Sequence, residues 1–221
     1  MSNMLRMPRA SLTDHVVAHV RDEVRAGRLV PGELYSVYRL SDELGVSRSP
    51  VREALLRLSE AGLVAFERNR GFRVHVPDPH DIAEIFAVRL ALEVPAARRL
   101  AGRVTPAVRS ELEAQRDAMR AAVVAGDEPG FSRDDRGLHA LVLERSGNRR
   151  AAAVVDGLRE TTRLLGASTS RSLEHVRAEH DPLVDALLAG DADAAGEAMC
   201  VHLERTGRLL AGDEAWADVV A

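Results

Sequence analysis

The sequence contains no lysine: all 30 of its positive side chains are arginine. It has a single cysteine, Cys200, so no intrachain disulfide framework can hold it, and the chain suits a reducing compartment. Aromatic residues make up only 3%. A core so short of rings must be built from Leu, Val and Ala, which favours packed helices over a sheet sandwich. No apolar run approaches bilayer-spanning length, and the N-terminal MSNMLRMPRA lacks the apolar centre of a signal peptide. These absences predict a soluble, cytoplasmic protein with no membrane partner.

What is present is ordinary in amount and uneven in placement. The 221 residues, 46% hydrophobic and 29% charged, are enough for two modest domains with real cores. The net charge of −4 hides an asymmetry. Through Pro77 there are 12 arginines against 9 acids, a surplus of +3; beyond it, 18 arginines face 25 acids, leaving −7. A basic N-terminal third on an acidic body is the pattern of a nucleic-acid module joined to something else.

Local patterning supports that division. Val16, Val17, Val20, Val24 and Leu29 recur near helical period after Ser11 or Thr13 as N-cap, and Pro31-Gly32 stops the run. A short helix is expected from Val37 to Leu44, ended by Gly45. Ser47 can cap a third, with Pro50 tolerated in its first turn and Val51, Ala54, Leu55 and Leu58 on one face. The period then falls to two, through LVAFE, RNRG and FRVHV, predicting a β-hairpin with Asn69, Arg70 and Gly71 at or near its tip. Helix, helix, turn, helix and hairpin make a winged helix-turn-helix with a small β-hairpin wing. Arg48 and Arg52 lie opposite the apolar face of the third helix, where guanidinium groups can fork onto guanine or clamp phosphate. Ser47 and Ser49 can add phosphate contacts at the same helix end. The competing possibility is that both arginines pair with Glu53 and Glu60 on a solvated surface.

Beyond the linker PDPH, the chain reads as helix throughout: Asp81 to about Gly102 with a kink at Pro95, then Pro106–Ala125, Phe131–Ser146, Arg150–Leu165, Leu173–Ala189 and Asp193–Leu210. Short connections predict an all-α antiparallel bundle, making the whole chain mainly α. The expected boundaries are a tail at 1–10, the winged domain at 11–77, a linker at 78–80, the helical domain at 81–212 and a tail at 213–221.

GVSRSPVREALLRLSEAGLV followed by RNRGFRV resembles the DNA-binding domain of the GntR family of bacterial transcription regulators. VRLALEVPAARRLA, DRGLHALVLERSGN and EHDPLVDALLAGDADAAGEAMCVHLERT resemble that family's helical FCD effector domain, of the FadR-like subfamily. The resemblance implies that Arg48 and Arg52 read bases or phosphates and that Gly71 approaches the minor groove. Arg39, beside Leu40-Ser41, matches a position that touches DNA in some relatives.

Asp135 and His139 stand four apart on one predicted helix, about 40° from alignment, so both can reach one ion. His180 and His202 fall in two later helices, and three imidazoles with one carboxylate make a plausible shell for a divalent cation of the Zn²⁺, Ni²⁺ or Mn²⁺ class. These four positions match the ligands of metal-binding FCD domains, although single histidines in bundles are more often surface or hydrogen-bonded core residues. Leu138 stands where the family often has Phe. By the same resemblance Arg89 faces an effector, the alternative being an i,i+4 pair with Glu93. Cys200 is expected in the core, and Asn148 as a helix cap.

The sequence therefore predicts a regulator, a repressor and not an enzyme, that binds an inverted-repeat DNA operator as a homodimer and responds to a small organic acid. Two rivals are a metal-dependent enzyme with an ancillary DNA-binding domain, and a DNA-binding dimer whose helical domain is purely structural.

Overall fold

The computed structural model describes residues 11–60, 62–68, 70–75, 78–164 and 171–220. The expectations for the tail at 1–10, for Asn69 at the wing tip, for Val76, and for most of the polar break after Leu165 lie outside these residues. The chain divides into an N-terminal unit and a helical unit that begins at Asp78.

In the N-terminal unit, α1 (Leu12–Arg25) is opened by Ser11, whose hydroxyl accepts from Asp14 N–H while the Asp14 carboxylate accepts from Ser11 N–H. That reciprocal pair satisfies two of the donors a helix start leaves bare. α2 (Val37–Leu44) ends at Gly45, whose φ of +63° turns the chain sharply into α3 (Arg48–Glu60). Val51, Ala54, Leu55 and Leu58 of α3 are wholly buried with Val16, Val17 and Val20 of α1. Burying each of the α3 Val and Leu side chains contributes about 1.5–3 kcal/mol, which fixes the opposite face of α3 toward solvent. β2 (Val64–Glu67) and β3 (Gly71–Val74) pair antiparallel with Phe66 opposite Phe72. Where a two-stranded wing was expected, β1 (Leu34–Tyr35) adds a third strand on the far side of β3, with Tyr35 opposite Phe72 and their rings 5.8 Å apart. This pairing explains Gly71. Its φ is +139°, and a Cβ there would lie 2.0 Å from the Tyr35 carbonyl oxygen, a contact no side chain tolerates.

The helical unit comprises α4 (Pro79–Ala101), α5 (Pro106–Ala125), α6 (Glu128–Arg145), α7 (Arg149–Leu164), α8 (Leu173–Ala189), α9 (Ala192–Ala211) and α10 (Asp213–Val220). α4 packs on α9, α6 and α8, while α8 also packs on α5 and α9. Phe86, Leu100, Leu112, Met119, Leu138, Leu143, Leu183, Leu187 and Met199 fill the centre. Asn148 caps α7 through its Oδ1, which accepts from Ala151 N–H at 3.0 Å.

Three expectations need correction. Residues 79 and 80 are not linker but the first turn of α4, because Asp78 and Asp81 form a capping box and Pro79 suits the first helical position. Residues 213–220 are not a tail: they form α10, seated by Trp216, which is 2% exposed and lies 6.4 Å from the Phe86 ring. A Cβ at Gly207 would fall 1.9 Å from Trp216 Cζ3, so the bare backbone of α9 makes the seat. Cys200 is only partly buried, its Sγ 3.6 Å from Glu204 Oε1 rather than packed in the core.

Candidate nucleic-acid interface and metal centre

The exposed face of α3 carries the expected arginines. Arg48 and Arg52 are both exposed, and neither meets Glu53, which instead accepts from Arg57 at 3.0 Å. With Ser49, Arg70 and Gly71 they line one cleft of about 600 Å³ between α3 and the wing. Arg48 Nη1 donates to the Tyr38 hydroxyl at 2.7 Å, and its guanidinium lies 4.3 Å from the centre of that ring. Tyr38, 61% exposed at the start of α2, thus limits the rotamers of Arg48 from two directions. Ser47 is exposed beside the cleft without lining it. Arg39 is also outside it and pairs with Glu43 at 3.6 Å. Arg70 is tied to Glu67 at 3.2 Å.

In the helical unit, one ligand atom each from Asp135, His139, His180 and His202 lie within 4.8 Å of one another. α6 supplies the first two, α8 the third and α9 the fourth. All three histidines are buried, at 0%, 2% and 5% exposure. Each turns Nδ1 outward to an oxygen that can only accept: His139 to Glu93 Oε2, His180 to the Val176 carbonyl at 2.9 Å, and His202 to Glu179 Oε2 at 3.3 Å. A proton on each Nδ1 leaves the Nε2 lone pairs for the interior, the arrangement by which outer partners fix the tautomer of metal-binding imidazoles.

The contact between His180 Nε2 and Asp135 Oδ1 is 2.9 Å long, yet with the ring proton on Nδ1 two acceptors face each other and Nε2 has no hydrogen-bond partner. We read it as two ligand atoms converging rather than as a bond between them. His139 Nε2, 3.8 Å from the same oxygen, is likewise buried without a partner. Buried polar atoms left bare call for an explanation, and a cation between them supplies one. The donor set, three nitrogens and an oxygen, fits the borderline metals.

The electrostatics favour ionised carboxylates and neutral rings at His139 and His202. Burial opposes charge on Asp135, but the Arg159 guanidinium outweighs it and holds its carboxyl well below the usual range. Glu93 is likewise depressed, burial being overcome by Arg89 at 2.7 Å and by His139. Against burial, His202 and Arg171 bring Glu179 down to about 2. Burial pushes His139 down to about 4, helped by Arg159, and His202 to about 3, helped by His180. Arg89, the expected effector contact, is 4% exposed and is indeed the i,i+4 partner of Glu93, but its Nη2 has no partner.

Residues 12–74 match the family model for bacterial regulatory proteins of the gntR family, and residues 84–205 match that of the FCD domain. The chain belongs to the GntR family. It is a DNA-binding transcription regulator of the FCD-bearing, FadR-like type, which places it among regulators rather than enzymes. It is 30% identical over 200 residues to the "Probable D-xylose utilization operon transcriptional repressor" of Paenarthrobacter nicotinovorans, covering 90% of this chain and 88% of that one. It is 26% identical over 200 residues to the HTH-type transcriptional repressor RspR of Escherichia coli (strain K12), covering 89% and 88%. Among solved structures, the "putative transcriptional regulator GntR from Rhodococcus sp. RHA1" superposes with a TM-score of 0.65 at 27% identity, over 91% of this chain and 98% of that one. No helix among the described residues is long and apolar enough to cross a membrane.

The GntR chain holds functional candidates that its sequence did not disclose. Tyr38 sits ten residues from the arginine it braces. Glu93 and Glu179 orient imidazoles on other helices, and Arg159 of α7 grips Asp135 of α6. Only Glu93 carried a sequence signal, its four-residue spacing from Arg89.

Proposed function

We propose that this GntR regulator is a homodimeric repressor that reads an inverted-repeat operator and is tuned by a metal-anchored acid. Arg48, Arg52, Ser49, Arg70 and Gly71 form its contact surface for DNA, with Ser47 and Arg39 reaching flanking phosphates. Two-fold symmetry of the protein would match a palindromic operator. Two relatives that span most of the chain are named as repressors, which supports that direction of control.

In the helical unit, Asp135, His139, His180 and His202 hold a divalent cation of the Zn²⁺, Ni²⁺ or Mn²⁺ class, and Arg89 helps bind a small carboxylate effector. The ion would supply a Lewis-acidic anchor for a carboxylate oxygen. The observation that carries this reading is the pair of buried, unpartnered Nε2 atoms, on His139 and His180, beside an ionised Asp135. Effector binding alters operator affinity only if the acid prefers one arrangement of the dimer over another.

The test has two parts. Selection from random duplexes should yield an inverted repeat bound far more tightly than its scrambled sequence; equal affinity for the two sinks the DNA reading. Elemental analysis of protein purified without chelator or histidine tag should find a first-row divalent metal that His180→Ala loses. If that variant keeps its full effector response, the ion is structural and not an anchor.

A further inference from the structure

The helix α7 is held unlike its neighbours. Among the described residues every other helix of the helical unit packs closely on at least one more, whereas α7 packs closely on none. Its first half is anchored by small apolar side chains, Ala151, Ala152 and Val155, which reach the core. Beyond Val155 no described side chain of α7 is buried, and the attachments are polar. Asp156 accepts from Arg136 of α6 at 2.6 Å, Glu160 accepts from the same guanidinium at 3.5 Å, and Arg159 grips Asp135. Arg136 and Asp156 are 43% and 44% exposed, so that pair holds the helix only weakly.

The same half is a weak helix in its own right. A Cβ at Gly157 would meet nothing within 4 Å, so no packing requires the glycine, and it loosens the helix where it stands. Thr161 and Thr162 turn their hydroxyls back onto the Gly157 and Leu158 carbonyls, at 3.1 and 3.0 Å, bonds that compete with the helical ladder. A segment with little buried apolar surface and solvated ties belongs to the low-stability end from which local opening is drawn. It also covers the most exposed of the candidate ligands: Asp135 is 17% exposed through its side chain, the three histidines 6% or less. A groove of about 510 Å³ between α8 and α9 reaches His202 from another side. It presents the wrong nitrogen, because His202 Nδ1 faces Glu179, and Glu179 is already held by Arg171 and Arg205.

We propose that the half of α7 beyond Val155 is a gate for the cation. It unwinds locally, drawing Arg159 off Asp135 and baring that carboxylate to an incoming divalent ion, then rewinds and closes over it. The inference rests on the cation reading above and goes beyond it by naming the route. A gate of this kind sets how fast the ion enters and leaves, and not how tightly it is held. The rival role for α7 is a fixed wall, with the ion passing by the groove between α8 and α9.

Stopped-flow timing of Zn²⁺ uptake and of chelator-driven release by the full chain separates these roles. Equilibrium Zn²⁺ affinity and the hydrogen exchange of α7 amides are measured on the same proteins. Gly157→Ala introduces no clash and favours the wound helix, so uptake and release should both slow by about two- to fivefold. The amides beyond Val155 should exchange more slowly by the same factor, and affinity should not move. Asp156→Asn, which keeps the shape but loses the ion pair with Arg136, should act in reverse, speeding both steps by up to about fivefold at equal affinity. Val201→Phe, which narrows the groove between α8 and α9, should change neither rate. Wild-type rates in both α7 variants overturn the inference alone, as does slowing by Val201→Phe. So does a Gly157→Ala protein whose Zn²⁺ affinity shifts while its uptake rate stays put. A wild type that takes up no Zn²⁺ removes the cation reading, and the inference with it.

Discussion

Glu93 offers the sharpest perturbation because it does two things at once. It is fully buried, receives Arg89 Nε at 2.7 Å, and accepts from His139 Nδ1 through its other oxygen. Glu93→Gln keeps the shape but deletes the charge. Arg89, 4% exposed, is then a guanidinium without a counter-ion, and breaking a buried pair this way costs about 3–5 kcal/mol. That is a large fraction of the roughly 5–15 kcal/mol that holds a domain together, so the variant should unfold at much lower urea in circular dichroism. The amide has one uncharged acceptor oxygen for two donors, Arg89 Nε and His139 Nδ1, so its grip on the His139 proton weakens, and disturbing such an outer partner lowers metal affinity about 10–100-fold. Removing both charges separates the effects. Arg89→Met with Glu93→Gln should recover much of the stability, since no bare charge remains, but only part of the metal affinity, since the amide oxygen holds the His139 proton without the charge of a carboxylate. If Glu93→Gln unfolds within about 1 kcal/mol of the wild type and binds Zn²⁺ equally well, the geometry has been misread.

Other consequences are open to simpler measurements. Arg52→Ala should weaken operator binding by about 1–3 kcal/mol, the worth of a good bidentate base contact, in gel-shift titrations. Tyr38→Phe should cost less, because Arg48 keeps the ring beneath it and loses only the hydroxyl. Gly71→Ala should destabilise the N-terminal unit by separating β1 from β3, visible as a lower urea midpoint; unchanged stability would mean that the Tyr35 carbonyl moves aside freely. In chelator-treated protein, His139 and His202 titrate near 4 and near 3 when folded, against about 6.5 when unfolded. The unfolded chain therefore binds protons first, and stability should fall as the pH drops from about 6.5 toward 4, by up to about 1.4 kcal/mol per unit per ring. Depressed Asp135 and Glu93 extend the loss below about 4.5. Urea midpoints that stay flat between pH 7 and 5 would contradict the burial of these rings.

Much of this was legible in the chain because helical periodicity and caps are local. Val51, Ala54, Leu55 and Leu58 announced the buried face of α3, and the spacing of Asp135 and His139 announced a shared helix face. His180 and His202 were different: periodicity placed each on a helix, but only family resemblance suggested that they meet. The misses share a physical cause. β1 is two residues long, too short for alternation to register, and exists because β3 has a free edge. α10 does carry signals, acids in its first turn after Gly212 and apolar Trp216, Val219 and Val220, but its existence depends on the seat that Gly207 leaves open. Arg159 and Glu179 matter through partners 24 and 23 residues away, pairings that only helix packing decides.

The lone indole of the chain is Trp216, sealed between α10, Phe86 and Gly207, whereas its two phenols, Tyr35 and Tyr38, both belong to the N-terminal unit. The protein therefore carries a separate intrinsic fluorophore for each half. Emission excited selectively in the indole band follows the helical bundle, while tyrosine emission follows the DNA-reading half, so both can be watched in one cuvette without a label.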